Sequence, residues 1–152
     1  MSKPNTKQRV MLVEQERDRS AAVKLVESMP APFMLSCKPG KPRSYLQNRL
    51  MRLWCNELQE QGDQTAEEYR GYIKAWFGLP ILIRDDENFA AQYERIIKPL
   101  AYEDKILLMQ VPLDFPVTRL MTTKQEAEML DTVYEHFTSQ GFVLTDPEWQ
   151  GL

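Results

Sequence analysis

Five cations fall within 15 residues of this chain, and no acidic residue interrupts them. They are Lys38, Lys41, Arg43, Arg49 and Arg52. Clustered lysine and arginine side chains are typical of surfaces that neutralise the phosphates of a nucleic acid. Residues 38–52, which we call the basic segment, therefore favour electrostatic binding of an anionic partner.

The basic segment leads into a predicted helix from Ser44 to about Gln61. Ser44 and Gln47 fit a capping box, in which each side chain bonds a backbone N–H group of the first turn. Gly62 follows the last helical position and favours a stop there. Apolar residues at helical spacing should form the buried stripe: Leu46, Leu50, Leu53, Trp54 and Leu58.

The opposite face of this helix carries the polar side chains. Arg49 and Arg52 are three residues apart, so both can point the same way. Asn48 and Gln59 could bond phosphates or base edges, and Tyr45 could stack on an unpaired base. The predicted DNA-binding residues are Lys38, Lys41, Arg43, Asn48, Arg49 and Arg52. A charged helix face is more often simply solvated, and that alternative stays open here.

The charge distribution supports binding more than the net charge does. The formal net charge is -3. The first 54 residues, however, carry a formal +7 and residues 55–152 a formal -10. Such asymmetry suggests a basic binding face on an acidic body.

Length and composition set the broad class. The 152 residues fit one domain over residues 1–152, and the 43% hydrophobic content is typical of a globular protein. No apolar run approaches the roughly 20 residues of a membrane span, and the polar N-terminus predicts no signal peptide. We therefore expect a cytoplasmic protein in which Cys37 and Cys55 are free, buried thiols. The single histidine, His136, predicts neither a metal site nor a cofactor.

The opening of the chain suggests an α+β fold. Gln8–Glu14 and Phe33–Cys37 are predicted strands, and Ser20–Met29 between them is a predicted amphipathic helix. This order predicts a small N-terminal sheet, followed by a mainly helical remainder. In that remainder we expect helices from Thr65 to Gly78, Asn88 to Pro99, Tyr102 to Gln110 and Thr123 to Gly141, an extended Leu79–Ile83, and a tail, 142–152, that could be flexible.

The motif Arg43-Ser44-x-x-Gln47-Asn48-Arg49, set at the start of a tryptophan-containing helix, resembles the phage and prophage NinB (Orf) recombination proteins. The resemblance covers residues 8–61 and extends more loosely to residue 152. It implies α+β homodimers with a basic central channel that bind single-stranded, gapped or partly duplex DNA with little sequence preference. It also implies that they help load a RecA-type recombinase in the presence of single-strand-binding protein, without a catalytic centre. By position, Arg43, Asn48 and Arg49 would lie near DNA.

The sequence thus predicts a DNA-binding recombination accessory protein that is not an enzyme. One alternative is a metal-dependent nuclease, which would need clustered carboxylates. The dense acidic run Asp85–Glu87 is better explained as a helix start before Asn88. His136 could act as a general base, but it is the only histidine in the sequence. The other alternative is a protein-interaction module without DNA binding, with the acidic second half and a tail that includes Trp149 as its surface.

Overall fold

The structure is a computed structural model that describes residues 9–39 and 42–148, with only the backbone described for residues 42–45. All regular secondary structure in these residues is helical, so the predicted α+β class is wrong. The helices are α1 (Glu16–Ser28), α2 (Pro42–Gln61), α3 (Ala66–Ile73), α4 (Leu79–Asp85), α5 (Glu87–Ile96), α6 (Tyr102–Leu108), α7 (Val117–Leu120) and α8 (Thr123–Ser139), with a π-helical turn (Lys74–Gly78) between α3 and α4. Among the described residues, no helix is long and apolar enough to cross a bilayer.

The chain divides into two compact units, residues 1–42 and residues 43–152. The first contains α1, which begins four residues before the predicted helix because the Asp18 carboxylate accepts from the Gln15 backbone N–H at 3.0 Å. The strands predicted on either side are wrong: residues 9–14 and 33–37 are neither helix nor strand. A strand needs a neighbour to complete its hydrogen bonds, and alternating apolar residues do not supply one.

The core of the second unit begins on α2. Its buried residues are Met51, Trp54, Cys55 and Leu58, which recur at helical spacing. Burial of Trp54 and Leu58 confirms part of the predicted stripe. The predicted Leu46, Leu50 and Leu53 are only half-buried, because the buried stripe is rotated toward Met51 and Cys55.

Helices α3 and α8 pack against this stripe. Trp54 lies 5.6 Å from Tyr134, and Tyr69 lies 6.1 Å from Phe137, measured between ring centroids. The capping box predicted at Thr65 is confirmed, since its hydroxyl accepts from the Glu68 N–H at 3.1 Å. For α8 the cap is Thr122, one residue before the predicted start.

The apolar run 79–83, predicted to be extended, is helix α4. Pro80 lies in its first turn, where a missing N–H group costs nothing. Leu79 and Leu82 form a second small core with Met109 and Val117. Gly78 allows this approach, because a Cβ atom there would lie 2.5 Å from Val117 Cγ1. A short apolar run fits a strand or a buried helix equally well, and packing decided between them.

Helix α8 ends in the predicted place. Gly141 has a positive φ of 96°, and the Phe142 N–H donates to the Phe137 carbonyl at 3.1 Å. The Phe137 and Phe142 rings lie 5.7 Å apart, which completes a Schellman motif with its apolar contact. This turn directs residues 142–148 back along α2.

Candidate nucleic-acid interface

The solvent face of α2 presents the central part of the basic segment. Asn48, Arg49 and Arg52 are exposed, while Met51 and Cys55, at the adjoining edge of the helix, are buried. One helical face therefore carries both arginines, as the spacing predicted.

The structure brings together only some of the predicted DNA-binding residues. Lys38 is exposed in the first unit. Lys41 lies outside the described residues, as do the side chains of Arg43 and Tyr45. The predictions for Lys38, Lys41, Arg43 and Tyr45 as DNA contacts therefore stay predictions, and the site is built from α2 onward.

A groove of about 710 Å³ opens beside this face of α2. It is bounded by α2, by α3 with the start of the π-helical turn, and by residues 114–119. Asn48 and Arg52 line the groove, whereas Arg49 lies just outside it, one turn before Arg52. Its charged lining residues are Arg52, Glu67, Arg70, Lys74, Asp114 and Arg119. Four cations thus face two carboxylates, and the groove has an excess of positive charge.

Two of these cations belong to an ion cluster at one side of the groove. The Asp114 Oδ1 atom accepts from Arg70 Nη1 and from Lys74 Nζ, each at 2.8 Å. Lys74, only 3% exposed, also donates to the Met109 carbonyl at 2.7 Å. Glu67 lies 3.3 Å from Arg70 Nε and accepts from the Val111 N–H at 2.8 Å. The cluster ties α3 to the segment between α6 and α7.

Burial and ion pairing have opposite effects on the pKa of Lys74 within this cluster. Burial lowers the pKa of the Lys74 ammonium, while the hydrogen bond to Asp114 raises it. The same hydrogen bond is the main reason that the pKa of Asp114 lies below its usual value. Because Arg70 and Lys74 share one carboxylate oxygen, much of their charge is neutralised locally.

Arg52 and Arg119 stand apart from this cluster. Within the part of the chain that the structure describes, neither guanidinium group forms an ion pair, and Arg49 forms none either. All three side chains are exposed. Their charges are therefore available to an anionic ligand.

Sequence reasoning missed Arg70, Lys74, Asp114 and Arg119 as groove residues. Arg70 and Lys74 are four residues apart in a predicted helix, so their shared face was available from spacing. Asp114, which has a positive φ of 47°, and Arg119 lie more than 40 residues beyond Arg70, and no local pattern places them there.

Two glutamines, one predicted to cap α2 and one to act near DNA, form hydrogen bonds that hold neighbouring elements together. Gln47 Nε2 donates to the Thr123 carbonyl at 3.2 Å, across to the start of α8. Helix α2 begins at Pro42, so Ser44 lies inside its first turn and the predicted capping box is wrong. Gln59 Oε1 accepts from the Ala66 N–H at 2.7 Å and so supports the start of α3.

The residues of the nuclease alternative are engaged in local contacts. Asp86 caps α5 by accepting from the Phe89 N–H at 3.0 Å. The helix start expected at this acidic run is thus confirmed, but its cap is Asp86 and not Asn88. Asp85 pairs with Arg84 at 2.7 Å. His136 packs 5.0 Å from Phe77, between ring centroids. Among the described residues, no three His, Cys, Asp or Glu side chains are grouped so that they could hold a metal ion.

The predictions for the two cysteines are confirmed in part. Both cysteines are free, but only Cys55 is buried and Cys37 is exposed. Burial raises the pKa of the Cys55 thiol to about 12, so it stays protonated. Trp76, in the π-helical turn, is 53% exposed, and its ring centroid lies 6.2 Å from that of Tyr102.

Comparison of the chain with protein-family models, curated proteins and solved structures found no match. The NinB resemblance therefore stays a prediction from the motif. The α+β fold that it implied is not the fold of the described residues.

Proposed function

We propose that this protein binds single-stranded nucleic acid with little sequence preference, through the exposed face of α2 and the groove beside it. The observation that carries the proposal is the set of three exposed arginines, Arg49, Arg52 and Arg119, on and beside one groove. Neutralisation of phosphates by such groups supplies most of the affinity in sequence-tolerant binding.

The surroundings of the groove support this proposal. Residues 55–152 are acidic overall, so anions are repelled from much of the surface. The α2 face contrasts with them, since its cations have no acidic neighbour in the sequence between Lys38 and Arg52. A strand of nucleic acid would therefore be directed toward the arginines.

The finer parts of the proposal rest on the NinB resemblance. They are a cytoplasmic, non-enzymatic role as a recombination accessory, preference for single-stranded and gapped or partly duplex DNA, and action as a homodimer alongside single-strand-binding protein. Of the matching positions, Asn48 and Arg49 are exposed on α2, which supports this part of the proposal.

The double substitution Arg49→Ala/Arg52→Ala tests the site. We expect it to weaken binding of a single-stranded oligodeoxythymidylate roughly 10- to 100-fold at low salt, because two phosphate contacts are lost. The slope of log affinity against log salt should become shallower by about 1.4, from about 0.7 for each lost contact. Fluorescence anisotropy between 50 and 200 mM salt, roughly the range over which such contacts weaken, measures both quantities.

The matched control is Arg95→Ala/Lys98→Ala, which removes the same charge from two exposed positions, one in the last turn of α5 and one just after its end. Neither residue lines the groove. An equal loss of affinity in the two double variants would show that only the net charge matters, and it would contradict the assigned site. An unchanged affinity in Arg49→Ala/Arg52→Ala would contradict it as well.

A further inference from the structure

The groove beside α2 has an apolar side that phosphate binding leaves unexplained. Met51 and Cys55, both nearly fully buried, line it together with Phe115 and Pro116. Contact with a phosphate backbone requires exposed cationic side chains, and it does not require an apolar cavity. The volume of about 710 Å³ lies within the roughly 300–1,000 Å³ of sites that enclose small organic molecules.

Polar amides stand at the margin of this apolar surface. Asn48 and Asn56 are exposed on α2 and line the groove. Among the described residues, neither side chain has a hydrogen-bond partner, in contrast to Gln59, whose oxygen is bonded to Ala66. Amide groups beside an apolar surface suit a flat, heterocyclic ligand whose edge carries donors and acceptors.

The charges divide the groove into two parts. Arg70 and Lys74 are held by Asp114 and are thereby poor partners for a further anion. In the part of the chain that the structure describes, Arg52 and Arg119 have no such carboxylate. Phosphates should therefore lie at Arg52 and Arg119, while the apolar lining is left for an uncharged group.

We infer that the groove receives an unstacked base of the bound strand, packed against Phe115 and Pro116 above a floor formed by Met51 and Cys55, while Arg52 and Arg119 hold the adjoining phosphates. The inference rests on the proposed function and names what lies in the groove. Asn48 and Asn56 meet the edge of the base. Because every base has an apolar face, such a site tolerates many sequences.

The decisive comparison uses two single-stranded oligomers with the same number of phosphates. One is an oligodeoxythymidylate, and the other is an abasic oligodeoxyribonucleotide of equal length. A base in the groove predicts at least roughly tenfold tighter binding of the first, the usual scale for one stacked base. Equal affinity for the two oligomers would overturn the inference and leave the proposed function intact. If neither oligomer bound, the proposed function would fail and the inference with it.

A variant that fills the groove tests whether the preference for the base-containing oligomer arises there. Asn56→Trp fills the groove from an exposed position of α2 without changing the charge. It should abolish the preference for the base-containing oligomer and keep the binding of the abasic one. Gln92→Trp, on the exposed face of α5 and outside the groove, is the control and should behave as the unmodified protein. A preference that survives Asn56→Trp would place the base elsewhere and overturn the inference.

A measurement on the unmodified protein avoids dependence on the folding of any variant. With methyl-labelled methionine, the Met51 resonance should shift on addition of oligodeoxythymidylate and stay in place with the abasic oligomer. Met129, which is fully buried and does not line the groove, serves as the internal reference. Equal shifts of Met51 with both oligomers would contradict a base in the groove.

Discussion

At the residue scale, Glu126 is the most unusual side chain of the described core. It is 4% exposed on α8, and its Oε1 atom has no hydrogen-bond partner among the described residues. Burial raises the pKa of its carboxyl group to about 7, and no charged neighbour contributes. A buried carboxyl group without a partner favours the protonated form, because desolvation penalises the charge.

The raised pKa of Glu126 determines how the free energy of unfolding changes with pH. The pKa of Glu126 is higher in the folded chain than its ordinary value of 4.5, so the folded state binds the proton more tightly than the unfolded one. Its favourable contribution to the free energy of unfolding is complete below about pH 4.5. It declines as pH rises from there to about 7, above which no further loss is expected.

Glu126→Gln should therefore stabilise the protein above neutral pH. We expect the free energy of unfolding to increase by about 1–3 kcal/mol at pH 8, with little change near pH 4.5, since Gln resembles the protonated acid. Urea denaturation at both pH values measures this difference. Glu135→Gln, on the exposed side of the same helix, is the control. An effect of the same size at both pH values would show that the charge of Glu126 is not the cause.

At the element scale, the C-terminal segment is held to α2 by side chains. The Glu57 carboxylate accepts from both the backbone N–H and the hydroxyl of Thr145, at 3.0 Å each. Trp54 Nε1 donates to the Thr145 carbonyl at 2.7 Å, and the Gln61 amide bonds both backbone groups of Val143. Leu144 between them is buried in the main core. Residues 143–145 thus pair with side chains much as a strand pairs with a backbone.

Glu57→Ala should loosen this segment. Removal of the carboxylate leaves two partly buried donors of Thr145 without an acceptor, which should lower the free energy of unfolding by about 1–3 kcal/mol. Limited proteolysis should then cleave within residues 142–148 before the helices are attacked. Glu60→Ala removes an exposed carboxylate from the same helix and should change neither property. Identical cleavage patterns in the two variants would count against the anchoring role of Glu57.

At the scale of the whole molecule, the burial that the structure describes is confined to the second unit. Every buried apolar residue among those described lies in the range 51–144. In the first unit, no residue between 9 and 39 is buried, and apolar side chains such as Val10, Phe33 and Leu35 are exposed. Since burial of apolar area is the main favourable term in folding, the stability of the chain should arise from the second unit.

Deletion of residues 1–39 should therefore leave thermal unfolding almost unchanged. We expect the midpoint to move by less than about 3 °C, because each kcal/mol lost would move it by about 4 °C in a folded unit of this size. Differential scanning calorimetry of the full and shortened chains makes the comparison. A fall of 10 °C, about 2.5 kcal/mol on that scale, would show that the first unit contributes a buried surface of its own.

The sequence by itself determined the features that depend on neighbours within one or two turns. Thr65 and Glu68 set the start of α3, and Gly141 ends α8, because capping groups act within a few residues. The exposed position of Arg49 and Arg52 follows from helical periodicity. Trp54 and Leu58 were correctly predicted as core residues for the same reason.

Only the tertiary structure decided the features whose partners are distant in the chain. The apolar runs 9–14 and 33–37 could form strands only with a neighbour to pair with, and the run 79–83 became a helix through its packing. Asp114 reaches Lys74 from 40 residues away, and Thr145 reaches Glu57 from 88. A groove exists only where separate segments meet. Its lining therefore depends on the packing of whole elements, which spacing along one helix does not encode.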